Sequence, residues 1–202
     1  WFSPLTEIDF CGHATLASAF VLFEQMPAIT KLTFLTHAVG KLKVNKRENG
    51  FIEMVFPNKK PTQLIEIPDA LSNGLSIAPH SVYLNQQAYF VVYQHEEQVR
   101  SVKQNASIIK QLAPYDVVVT AQAKDYDFIS RYFWPANGGD EDPVTGSIHA
   151  GLVPLWAEIL KKDLLMAFQA SSRGGELSCR LAGDQVLISG QAVHYLTGTI
   201  YL

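Results

Sequence analysis

The chain has 202 residues, 48% of them hydrophobic, enough for one large domain or two small ones with a buried core. A net charge of −3 argues against nucleic acid or an anionic membrane surface as a partner. Two distant cysteines, Cys11 and Cys179, make no disulfide framework, and no apolar run reaches the ~18–20 residues that span a bilayer; reduced thiols in the cytoplasm are expected.

The chain opens on Trp1-Phe2, two large aromatics that want a core, so the natural chain is expected to begin upstream. Gly12 to Gln25 predicts a helix that Pro27 ends. Its run from Ala19 to Phe23 leaves no broad polar face, the pattern of a helix buried on all sides. Strand-like runs follow at Lys31–Thr36, Lys41–Lys46 and Phe51–Phe56, with Arg47-Glu48-Asn49-Gly50 as a hairpin turn. Pro57–Pro61 reads as a linker between residues 1–60 and 61–202.

Beyond it, Ser81–Leu84 and Ala88–Tyr93 predict strands, and Glu96–Leu112 a helix. Asp116–Ala121 and Phe128–Trp134 predict further strands, the first a buried one through Val117-Val118-Val119. A second apolar helix spans Ser147–Lys161, and strands follow at Leu164–Ala170, Glu176–Leu181, Gln185–Ser189 and Thr197–Leu202. Each apolar helix begins near a glycine and is followed by a meander of short strands. The expected fold is α+β, with two pseudo-symmetric domains, each a curved, mostly antiparallel sheet wrapped around a central helix.

The chemistry concentrates at the two helix starts. A helix start offers unpaired N–H groups and a positive dipole end, and glycine lets an anion approach the backbone. Gly12-His13-Ala14-Thr15 and Thr145-Gly146-Ser147 both offer this. If they face one another, their cleft suits a small molecule bearing a carboxylate, with Gly12, Ala14, Thr145 and Gly146 as its binding positions. Asp142 and His13 are then the proton carriers, while Ser147 caps its helix or donates a hydrogen bond. An acid ahead of a helix also complements its dipole and no more. His37, His80, His95, His149 and His194 show no metal-ligand spacing and read as surface or satisfied core groups. Cys11 reads as a small buried residue, and Arg173-Gly174-Gly175 as a tight turn.

Four segments resemble signatures of the PhzF-like (phenazine biosynthesis) family. Glu7–Ala17 is similar to its "CGHATLA" motif, and Glu141–Ser147 to its "EDPVTGS" motif. Ser130–Pro135 resembles its "SRFFAP" segment, and Gln169–Gly175 its "QxSxRGG" segment. The resemblance spans essentially the whole chain. It implies a diaminopimelate-epimerase-like fold with the site between two domains, and cofactor-independent, metal-free proton transfer that isomerises a small metabolite. By motif, His13, Asp142 and Ser147 match functional residues, and the backbone around Gly12-His13 and Gly146-Ser147 would hold a substrate carboxylate. The family's principal acid/base is a Glu that would lie upstream of Trp1, and members are often homodimers. The alternative is a catalytically impaired relative that binds a metabolite or a protein.

Overall fold

The computed structural model describes residues 1, 2, 7, 11–37 and 40–200. Helix α1 runs over Gly12–Gln25, as its composition predicts. Strands β1 (Lys31–Thr36), β2 (Gly40–Lys46) and β3 (Ile52–Pro57) form an antiparallel meander after it. In β2 the alternation Lys41-Leu42-Lys43-Val44 sends both apolar side chains inward. The β2–β3 turn closes with Gly50 at φ +80°, a conformation glycine adopts without penalty.

Next come β4 (Thr62–Gln63), α2 (Asp69–Gly74), β5 (Ser81–Leu84), β6 (Ala88–Val92), α3 (Glu96–Ser101) and α4 (Ala106–Ile109). They are followed by β7 (Asp116–Gln122), β8 (Phe128–Trp134), β9 (Gly139–Asp142), α5 (His149–Leu160), β10 (Leu164–Gln169), β11 (Gly175–Ala182) and β12 (Gln185–Gly190). The sheet is continuous, in the order β1-β2-β3-β12-β11-β10-β8-β7-β6-β5-β4, with β9 added on β8. The meanders that follow α1 and α5 thus meet at the β3–β12 pair, each with its helix packed on it. Only β6–β7 and β8–β10 are parallel among the described pairs, and their crossovers carry α3 with α4, and α5.

Two cores flank β5–β8. Val118, Phe128 and Tyr132 face α5, whereas Val117, Val119, Ile129 and Phe133 face α2–α4. This alternation is the period of two that a strand imposes. α5 is buried from His149 to Ala157. No helix among the described residues is long and apolar enough to cross a membrane.

Three expectations change. First, Glu96–Leu112 is not one helix. Arg131 reaches over from β8, and its Nη1 donates to the Val99 and Val102 carbonyls at 3.2 and 2.8 Å. Asn105 then caps α4, accepting from the Ser107 N–H at 3.2 Å. Val99, Val102, Ile109 and Leu112 still enter one core, so the apolar pattern survives the break. Second, α1 buries one stripe, Gly12, Thr15, Ala19 and Phe23; its other side is open, with Val21 44% exposed. Third, Thr197–Leu202 forms no strand over 197–200, and 201–202 lie outside the described residues. A β-prone sequence needs a neighbouring strand, and among the described residues none pairs with it; Ile200 is 86% exposed.

Candidate active site

The acids 140–142 part company because Glu141 and Asp142 alternate across β9, while a register shift at Phe133/Trp134 leaves Asp140 out of the pairing with β8. Asp140 is exposed. Glu141 accepts from Arg131 Nε and Nη2 at 2.8 and 2.9 Å, a forked pair that ties β9 to β8. Asp142 turns the other way and lines a cavity of about 880 Å³. Gly139 makes this strand feasible, because a Cβ there would lie 2.6 Å from the Trp134 ring.

A buried hydrogen-bond cage holds Asp142 and the start of α5 together. Gln169 is fully buried; its Oε1 accepts from the Thr145 N–H at 2.7 Å, and its Nε2 donates to the Asp142 carbonyl at 2.8 Å. The Thr145 hydroxyl donates to the Asp142 carboxylate. His149, also fully buried, shares a 2.8 Å hydrogen bond between Nδ1 and the Thr145 carbonyl. Its Nε2 has no partner among the described residues, so only one of its two nitrogens is satisfied. Burial pushes this imidazole down to about 4. Burial also pushes the Asp142 carboxyl above the usual carboxylate range, against the Thr145 hydrogen bond and the His13 charge. Ser147 does not cap the helix: Gly146–Ile148 form a tight turn ahead of it, and Ser147 Oγ accepts from Gln87 Nε2 at 2.9 Å.

The start of α1 stands opposite. A Cβ built on Gly146 would touch the Gly12 Cα at 3.5 Å, so the two glycine backbones nearly meet. Cys11 precedes α1 and is only half-buried; its Sγ lies 3.3 Å from His13 Nε2, and it lines the cavity instead of the core. The Cys11 contact is the largest influence on His13 and holds its imidazolium above the ordinary range, with burial opposing and Asp142 assisting. Burial disfavours the Cys11 thiolate, yet the hydrogen bonds from His13 and the Ala14 N–H outweigh it and lower the thiol.

Of the residues singled out in the sequence, Gly12, His13, Asp142, Thr145, Gly146 and Ser147 all line this one cavity. Ala14 does not; its N–H is turned to the Cys11 sulfur. Cys179 is buried in β11, away from the cavity, so no pair of cysteines faces it. Arg173 is exposed in the β10–β11 turn, where Gly174 has φ +73°. No cluster of three or more metal-ligating side chains occurs among the described residues.

Sequence reasoning passed over a second polar group in the same cavity. Tyr132 donates to Asp116 Oδ2 at 2.5 Å, Asn137 Nδ2 donates to Asp116 Oδ1 at 2.8 Å, and Gln87 Nε2 donates to the Tyr132 hydroxyl at 3.1 Å. Nothing in their spacing marks these residues. The one available signal was Asp116 opening an otherwise apolar strand.

A family model described as "Phenazine biosynthesis-like protein" matches residues 1–198. A protein of Halalkalibacterium halodurans named as an uncharacterized isomerase is 42% identical over 206 residues, taking in 100% of this chain and 77% of that protein. A Pseudomonas aeruginosa protein, likewise named an isomerase, is 42% identical over 203 residues, with the same shares. The crystal structure of a PhzF-family protein from Enterococcus faecalis superposes with a TM-score of 0.93 at 39% identity, covering 100% of this chain and 77% of that one.

Proposed function

Given that the chain belongs to the phenazine biosynthesis-like PhzC-PhzF family and has its diaminopimelate-epimerase-like fold, we propose that it is an isomerase. Its reaction moves a proton on a small metabolite bearing a carboxylate, in the cleft between the starts of α1 and α5, without a cofactor. One observation carries the reading: His13 and Asp142, 129 residues apart in sequence, share a cavity whose walls include two helix starts with closely spaced glycines.

The chemistry follows from the charges. The substrate carboxylate sits at the two helix starts, where the dipoles and the Ser147 hydroxyl favour negative charge. Proton loss beside a carboxylate spreads more charge onto its oxygens, so the same groups bind the transition state more tightly than the ground state. Asp142 takes the proton from carbon; its burial makes it a stronger base than an exposed carboxylate. His13, whose protonated form the Cys11 contact and Asp142 favour, returns a proton at another face or atom. Solvent then resets both groups. The two relatives named as isomerases support this class of reaction.

The test is isotope exchange. In D₂O with a panel of small amino and hydroxy carboxylic acids, wild-type protein should wash out the proton beside the carboxylate of at least one compound, read by proton NMR. Asp142→Asn should slow that exchange by about 10²-fold or more. Exchange at the wild-type rate in Asp142→Asn would remove Asp142 from the reaction.

A further inference from the structure

The polar group opposite the helix starts has a defined direction. Asp116, ionised, can only accept, and it takes protons from Tyr132 and Asn137. Tyr132 is 5% exposed and has one hydroxyl proton, which is spent on Asp116. Burial and the Asp116 carboxylate push this phenol well above its ordinary value, so it stays protonated. Its free lone pair must therefore accept, which fixes the nitrogen end of the Gln87 amide towards it. The second Nε2 proton goes to Ser147 Oγ at 2.9 Å. Ser147 then accepts from behind, and its own proton is left for the cavity it lines.

The loop bearing Gln87 is built to hold this geometry. Asn85 Oδ1 accepts from the Gln87 and Ala88 N–H groups at 2.8 and 3.1 Å, and Asn85 Nδ2 donates to the Lys59 carbonyl at 2.9 Å. The Gln87 carbonyl accepts from the Asp116 N–H at 3.1 Å. Backbone and side chain of Gln87 are thus both tied to the residue that starts the relay.

We infer that Gln87, oriented by Tyr132 and Asp116, is a positioning residue that, by donating to Ser147 Oγ, turns the Ser147 proton towards the ligand and strengthens it as a hydrogen-bond donor. The cleft thereby selects an acceptor-only group, a carboxylate, over a carboxamide of the same shape. The inference rests on the carboxylate-holding reading above and adds the source of its selectivity. A carboxamide presents an NH₂ where a carboxylate presents a second, charged acceptor, and a Ser147 that already accepts from Gln87 serves the charged acceptor better than it serves another donor.

The experiment titrates benzoate and benzamide into the protein by ligand-observed NMR. Wild type should bind benzoate and prefer it to benzamide. Gln87→Met should reduce that preference on the order of tenfold, about the worth of one hydrogen bond to a charged group. In a Ser147→Ala background the same substitution should change nothing further, because its effect runs through Ser147. Tyr132→Phe, which keeps Gln87 but removes its anchor, should move the preference in the same direction and serves if Gln87→Met fails to fold. An unchanged preference in folded Gln87→Met, or an undiminished effect without Ser147, would overturn the inference and leave the carboxylate reading standing. No binding of benzoate to wild type would overturn both.

Discussion

The starts of α1 and α5 share a local plan, a glycine and a hydroxyl or imidazole at the mouth of an apolar helix, yet they do different work. The α5 start is buried and caged: Gln169, Thr145 and His149 satisfy one another around the Asp142 backbone and carboxylate. The α1 start is open: Cys11 is half-buried and His13 exposed, with the Cys11 Sγ–His13 Nε2 contact joining them. The contrast teaches that one cavity can hold one of its ionisable groups in a closed hydrogen-bond cage and present the other to solvent.

The substitutions expected to matter most are those of the proposed proton carriers. Asp142→Asn should lower isotope exchange by about 10²–10⁴-fold, the usual range for a lost general base. His13→Ala should fall in the same range, with the melting temperature nearly unchanged because His13 is exposed.

Loosening the caged side should act on stability first. Gln169→Leu leaves the Thr145 N–H and the Asp142 carbonyl without their partner in a buried place. A loss of ~3 kcal/mol is expected, read as a lower urea midpoint at unchanged slope.

The buried His149 should give the protein an acid-sensitive fold. Its folded value lies near 4, below the 6.5 of the unfolded chain. Between those values the unfolded state binds more protons, so stability is full above pH 6.5 and declines as pH falls towards 4. From pH 7 to 4.5 this group should cost ~2 kcal/mol. His149→Gln should flatten that part of the urea-midpoint profile; an equally steep profile in the variant would point to other groups.

On the open side, Cys11→Ala removes the largest influence that raises His13. The alkaline limb of the exchange-rate profile, where the acid loses its proton, should move to lower pH with the maximal rate little altered. The smallest effect is expected where the two starts touch. A Cβ on Gly146 would meet the Gly12 Cα, Met54 and Phe56 at 3.5–3.9 Å, ordinary contact distances. Gly146→Ala should therefore shift stability by less than ~1 kcal/mol in thermal melts.

The sequence alone determined the elements whose causes are local. Glycine, proline and apolar spacing set α1 at Gly12–Gln25 and β1 at Lys31–Thr36, and the period-two runs became β2, β3, β5–β8 and β10–β12. The motifs carrying His13, Asp142 and Ser147 were also legible, being contiguous in the chain. Tertiary structure alone decided the rest. It broke the stretch from Glu96 to Leu112, because Arg131 supplies donors from another strand. It made Ser147 the partner of Gln87, 60 residues away, where the sequence left a helix cap open, and gave Glu141 to Arg131. It left residues 197–200 without the strand that their composition favours. Propensity and periodicity act over a few residues, whereas a buried donor must find its acceptor wherever the fold brings one, and no local pattern records that meeting.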